Sequence, residues 1–200
     1  MARMTVLFAG GALALLLAGT AGYVYMTRPG DFAACTGSGV AGDIGGPFEL
    51  TRHDGVRVSE SEVIDGLTLM YFGFTYCPDV CPIDTVRNAD VAALLDERGV
   101  AVRPVMVSVD PERDTPEVLG EYVSWMHPRM VGLTGSTDDI AAAASAYRVY
   151  YDKGEGEDYL VAHTTYTYLM APEHGFLTFF SRDATTEQMA DTISCFAEAI

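Results

Sequence analysis

The sequence predicts an α/β sandwich over residues 43–200, and three features carry that prediction. Two apolar, β-rich runs, Leu67–Phe74 and Val100–Val109, are separated by a stretch of helical periodicity, the pattern of a strand–helix–strand unit with parallel strands. Two later runs, Tyr166–Met170 and Phe176–Phe180, are joined by the short turn sequence Ala171–Gly175, which reads as an antiparallel hairpin. A closing segment spaces Met189, Ile193, Phe196 and Ile200 by four, three and four residues, the stripe of a helix lying on a sheet.

Taken in order, the elements follow from local chemistry. Phe48–Thr51 and Val56–Val58 flank His53–Asp54–Gly55, and Asp-Gly between short alternating runs marks a hairpin. Ser59–Ile64 is expected to make one helical turn. After the first buried strand comes Cys77-Pro-Asp-Val-Cys81-Pro82, then a helix running to about Arg98 and stopping at Gly99. Val86, Ala89, Val91, Ala93, Leu94 and Leu95 are its expected apolar face. The turn Asp110-Pro-Glu-Arg-Asp-Thr-Pro116 leads into a helix starting near Thr115 or Pro116 and carrying Val118, Leu119, Tyr122 and Trp125. Asp114 and Glu117 have capping-box spacing there. Val131–Thr134 is a short strand. Ser136 or Thr137 caps an alanine-rich helix through Tyr147. Arg148–Tyr151 and Leu160–Val161 are extended, bracketing a charged, glycine-containing loop, 152–158, expected to be mobile. The order strand, cysteine turn, helix, strand, helix, hairpin, helix is that of a thioredoxin-like fold: a central mixed sheet flanked by helices, here with an N-terminal hairpin extension.

The N-terminus is expected to be a transmembrane helix. Residues 5–26 carry no charge and lie between Arg3 and Arg28, and a helix of that length spans roughly 33 Å. A cleavable leader is the competing reading, since Ala18–Ala21 offers a small-residue cleavage pattern. The uncharged run continues past it through Tyr23 and Tyr25, which suit a membrane interface. Residues 1–4 are then a cytoplasmic N-terminus, 5–26 an anchor, 27–42 a glycine-rich flexible tether, and 43–200 the functional domain. Either reading exports that domain to an extracytoplasmic, oxidising compartment. The chain has a net charge of −16 with 12 basic residues, which argues against nucleic acid as a partner.

Cys77 and Cys81 sit where a buried strand becomes a helix N-terminus, a place that favours thiolate. Three intervening residues exceed the two of ordinary thioredoxin-type exchange. From spacing alone a redox pair and a metal site stand level, with a structural disulfide behind them. Two thiolates four positions apart in a first helical turn can both reach one ion, and thiolates select Cu(I) or Zn(II). A third ligand would decide. His53 and His174 are turn residues and His127 precedes Pro128 at a helix end. His163 enters the late hairpin, which in this fold passes over the cysteine turn.

Four blocks in order, Ile44–Phe48, Tyr71–Pro82, Val107–Pro116 and His163 before Tyr168–Met170, are similar to the Sco/SenC family. That resemblance covers residues 43 to 199. It implies a membrane-anchored, thioredoxin-like protein that binds copper, as Cu(I) and Cu(II), through Cys77, Cys81 and His163. It implies a part in assembling the CuA centre of cytochrome c oxidase subunit II, with the copper donor left open. The alternative function it carries is an extracytoplasmic thiol-disulfide oxidoreductase that uses Cys77 and Cys81 to reduce the recipient's cysteines. The first is a metallochaperone and not a turnover enzyme; the second is an enzyme. Asp79, Asp110, Arg113 and Asp114 are candidates for supporting the site. Cys35 and Cys195 fall outside the family pattern and form a candidate structural disulfide that would pin the tether to the domain.

Overall fold

The computed structural model describes residues 32–36, 43–156 and 158–200. The expected cytoplasmic N-terminus, transmembrane anchor and cleavage pattern, and the tether apart from residues 32–36, lie outside them. Among the described residues no helix is long and apolar enough to cross a membrane.

The first described element is a single helical turn, α1 (Ala33–Thr36). It is followed by the hairpin β1 (Glu49–Arg52) and β2 (Arg57–Ser59). Gly55 occupies the hairpin turn at φ 83°, a conformation that L side chains resist. Helix α2 (Glu60–Val63) opens with a capping box between Ser59 and Glu62. Then come β3 (Thr68–Gly73), α3 (Val80–Glu97) and β4 (Arg103–Ser108). Helix α4 (Pro116–Ser124), strand β5 (Val131–Thr134) and helix α5 (Thr137–Ala146) complete the first half. The second half is β6 (Tyr151–Lys153), β7 (Val161–His163), β8 (Thr167–Ala171), β9 (Gly175–Phe180) and α6 (Thr186–Ala199).

Seven strands make one mixed sheet in the order β2-β1-β5-β4-β3-β8-β9. β3, β4 and β5 run parallel, and β8 returns antiparallel to β3 with Leu69 opposite Leu169. The expected thioredoxin-like α/β architecture is therefore the observed one. Central β3 is buried at every position, which is why its sequence is almost unbroken apolar. Alternate residues serve opposite layers. Leu69 packs with Val91, Leu95, Ile193 and Phe196 beneath α3 and α6. Met70 and Phe72 pack on the other side with Leu133, Ile140 and Tyr147 of the α5 layer.

Four sequence expectations need correction. Val86 is exposed on α3, as is Ala93, and the early turns of that helix instead bury Asp84, Thr85 and Asn88. These polar residues are buried because their partners are: Tyr71 meets Asp84, Thr85 bonds the Cys81 carbonyl, and Thr167 bonds Asn88. Trp125 is exposed beyond the end of α4, and so is Ile200 at the chain terminus. The cap of α4 is Thr115, whose hydroxyl accepts from the Val118 amide, with Pro116 in the first turn. Asp114 is not its cap and turns inward to the site. Finally, the loop 152–158 is partly structured, because Asp152 and Lys153 pair with Ala162 and Val161 in a separate two-stranded sheet.

Candidate metal centre

The cysteine turn begins where β3 runs out. Phe74 is buried, Thr75 and Tyr76 lead outward, and Cys77 follows, with α3 beginning at Val80. The turn is clamped from the side. The buried Asp114 carboxylate accepts from the Thr75 amide at 3.1 Å, from the Thr75 hydroxyl, and from the Ser108 hydroxyl at 2.6 Å. One side chain thus ties the approach to Cys77 to the end of β4. Asp114→Ala would leave the buried Ser108 hydroxyl and the part-buried Thr75 donors without this partner, at about 1–3 kcal/mol for each unsatisfied buried group. Denaturant unfolding is expected to show a loss of about 3 kcal/mol, with Asp114→Asn recovering part of it; a loss below about 1 kcal/mol would argue against the clamp.

The two thiols have different surroundings. Cys81 is fully buried, whereas Cys77 retains a small exposed edge at 8 %. Burial opposes ionisation of Cys77, but the amides of Cys81, Asp79 and Val80 and the Cys81 thiol outweigh it, and its pKa falls below the ordinary thiol value. The Cys81 amide lies 3.5 Å from Cys77 Sγ. Burial pushes the Cys81 thiol up to about 12, reinforced by its neighbour Cys77. Both cysteines are free.

His163 ends β7 with its Nε2 3.3 Å from Cys81 Sγ. Its Nδ1 lies 2.9 Å from the Thr164 carbonyl. A carbonyl only accepts, so in the neutral ring Nδ1 carries the proton and Nε2 points a lone pair at the cysteine. Burial holds the His163 pKa below its ordinary value, so the ring is neutral and ligand-competent at pH 7. Tyr71 and Phe74 meet the imidazole edge-on, at 6.2 and 5.8 Å between ring centroids. Gly73 leaves the space these groups need: a Cβ there would lie 2.6 Å from the Tyr71 ring and 3.2 Å from Cys81 Sγ. Among the described residues no three His, Cys, Asp or Glu side chains are already closed around one point. The arrangement is a preformed Cys81–His163 pair with Cys77 one turn away at the rim.

Of the candidate supporting residues, Asp79 is exposed at the N-cap of α3 and contributes its amide to Cys77, with no side-chain cap bond. Asp110 is buried, pairs with Arg113 and accepts from the Tyr159 hydroxyl at 2.7 Å. Tyr71, Gly73, Thr75 and Tyr159 were not singled out from sequence. They sit among apolar or turn residues, and only the tertiary arrangement gives them a role. Cys35 and Cys195 are joined by a disulfide, 160 residues apart in sequence, which holds α1 against α6. Phe32 packs beside it on Phe196 and edge-on to His174.

A model of the SCO1/SenC family matches residues 37–198. The chain belongs to the SCO1/SenC family. Among its SCO1/SenC relatives, Protein SenC of Rhodobacter capsulatus is 52 % identical over 175 residues, covering 84 % of this chain and 78 % of SenC. Protein SCO1 homolog 1, mitochondrial, of Arabidopsis thaliana is 46 % identical over 153 residues, 75 % of this chain but 46 % of that protein. The chain therefore spans most of SenC and about half of that mitochondrial relative. The crystal structure of Arabidopsis thaliana ScoI with copper bound superposes with a TM-score of 0.76 at 44 % identity, covering 78 % of this chain and 99 % of that one.

Proposed function

We propose that the chain is a membrane-anchored copper metallochaperone. Residues 5–26 anchor it, residues 43–200 face the extracytoplasmic side, and the cargo is Cu(I) or Cu(II), delivered to the CuA centre of cytochrome c oxidase subunit II. The observation that carries this reading is the lone pair of His163 Nε2 directed at Cys81 Sγ across 3.3 Å, with Cys77 a turn away. A structural disulfide has no use for that imidazole. Membership of the SCO1/SenC family and the copper-bound relative support it.

The chemistry follows from the asymmetry of the thiols. Cys77 is at the rim and leans toward thiolate, so it meets an arriving ion first. Cys81 is buried and protonated, so it gives up its proton as the ion enters. His163 adds a nitrogen donor, which extends a soft dithiolate toward Cu(II). Three protein donors leave a coordination position for a recipient's ligand, as transfer requires and a closed structural site does not allow. A net charge of −16 raises the local concentration of cations around the domain.

The test is a copper titration of the reduced full-length protein. One equivalent should bind per chain, for Cu(I) and for Cu(II). No binding at one equivalent overturns the proposal, and dithiol exchange with a disulfide substrate would then be the activity to measure.

A further inference from the structure

The hairpin that carries His163 is not held by the main sheet. β6 and β7 form their own two-stranded sheet, so the seven-stranded ladder does not fix where the imidazole sits. Val161 and Tyr151 pack the hairpin on the core, and its polar tie to the body is Tyr159. Its hydroxyl donates to Asp110 Oδ1 at 2.7 Å, and the Arg113 guanidinium lies 3.7 Å from its ring centroid. Lys153 of β6 closes the other side, 4.3 Å over the same ring and 2.6 Å from Glu112. Asp110, Glu112 and Arg113 all belong to the turn between β4 and α4.

The clasp also reaches the cysteine turn. Arg113 is bonded to Asp110 and lies 4.8 Å from the Tyr76 ring and 5.8 Å from the Phe74 ring. Tyr76 adjoins Cys77, and Phe74 is one of the two rings edge-on to His163. One guanidinium therefore contacts Tyr159 from the His163 arm and two rings from the cysteine arm. Cation–π contacts of this kind, partly desolvated, strengthen on burial, and the Tyr159 hydroxyl bond to a buried carboxylate is charge-assisted.

We propose that Tyr159 is a positioning residue, clasped by Asp110 and Arg113, that fixes the β6–β7 hairpin so that His163 Nε2 faces Cys81. Resting on the copper-binding reading, this gives Tyr159 control of the third ligand without making it a ligand. Copper held by the two thiolates is then insensitive to Tyr159, and copper that needs the imidazole is not.

The experiment compares full-length wild type, Tyr159→Phe, which keeps the ring, and Tyr159→Ala, which removes it. In metal-free reduced protein, amide exchange at residues 161–164 should rise about tenfold in Tyr159→Ala, while the β3 and β4 amides stay protected and so report an intact fold. On titration, Cu(II) affinity should fall about threefold in Tyr159→Phe and about tenfold or more in Tyr159→Ala. The Cu(II) paramagnetic resonance spectrum should move toward that of His163→Ala, and Cu(I) affinity should stay within about threefold. Hairpin exchange at the wild-type rate in both variants overturns the proposal. So does a loosened hairpin with unchanged Cu(II) affinity and spectrum. If wild type binds no copper, the copper reading falls, and exchange in the metal-free protein alone decides whether Tyr159 holds the hairpin.

Discussion

Replacement of His163 by alanine is expected to lower Cu(II) affinity at least about a hundred-fold while leaving Cu(I) bound by the two cysteines. Removing a group that only orients a metal-bound histidine typically costs 10–100-fold, so removing the imidazole sets that range as a floor, about 2.7 kcal/mol. The split between oxidation states follows from donor softness. A dithiolate satisfies Cu(I), whereas Cu(II) relies on the nitrogen donor. The substitution removes a ring that packs edge-on to Tyr71 and Phe74, so unfolding should be measured beside binding. His163→Gln, which keeps bulk and a polar tip, separates the two effects: it should restore packing without restoring Cu(II) affinity. Equal Cu(II) affinity in wild type and His163→Ala would remove the imidazole from the site. A thiol reductase would tolerate both changes and lose activity only when Cys77 or Cys81 is replaced.

Removing the Cys35–Cys195 bridge is expected to be the largest stability change in the molecule. The bond closes a loop of 160 residues, and the chain-entropy model values such closure at about 5 kcal/mol. The measured loss should be smaller, about 3–4 kcal/mol, because freeing the bond also lets residues 32–36 move in the folded protein. For a domain of this size that corresponds to about 10 °C in Tm. Cys35→Ser and the double Cys35→Ser/Cys195→Ser variant should behave alike under non-reducing conditions. Wild type should move to their Tm when reduced. A shift below about 2 °C would show that the unfolded chain gains nothing from the constraint. Copper binding should survive the loss, because α1 and α6 supply no donor to the site: Cys77 precedes α3, Cys81 lies in its first turn and His163 ends β7.

The chain announces the parts of this molecule that are local. Cys77 and Cys81 are visible as a spaced pair at a strand-to-helix junction, and Ser136 as one of two cap candidates for α5, because each depends on neighbours within a few residues. What could not be read were assignments made over long sequence distances. Asp114 has the spacing of a helix cap, yet its oxygens serve Thr75, 39 residues away, since an unpaired amide beneath the cysteine turn is the costlier vacancy. Tyr159 meets Asp110 across 49 residues, and no periodicity marks either of them. Val86 was expected inside α3 and is outside because polar Asp84, Thr85 and Asn88 have buried partners. Apolar character alone ranks those positions the wrong way round.

The bridge between α1 and α6 also sets a length. Under the proposed anchor the membrane-spanning run ends at Met26, and the body begins at Cys35, where the chain is covalently held. The stretch between anchor and bridge is then residues 27–35 instead of the full run to residue 42. At about 3.4 Å per residue it extends no more than about 30 Å. Under that proposal, with the bond closed, the domain would stay within a shallow shell above the bilayer, and a recipient would have to offer its metal-accepting loop within that depth. Opening the bond would lengthen that stretch by more than three-quarters without altering the site it carries.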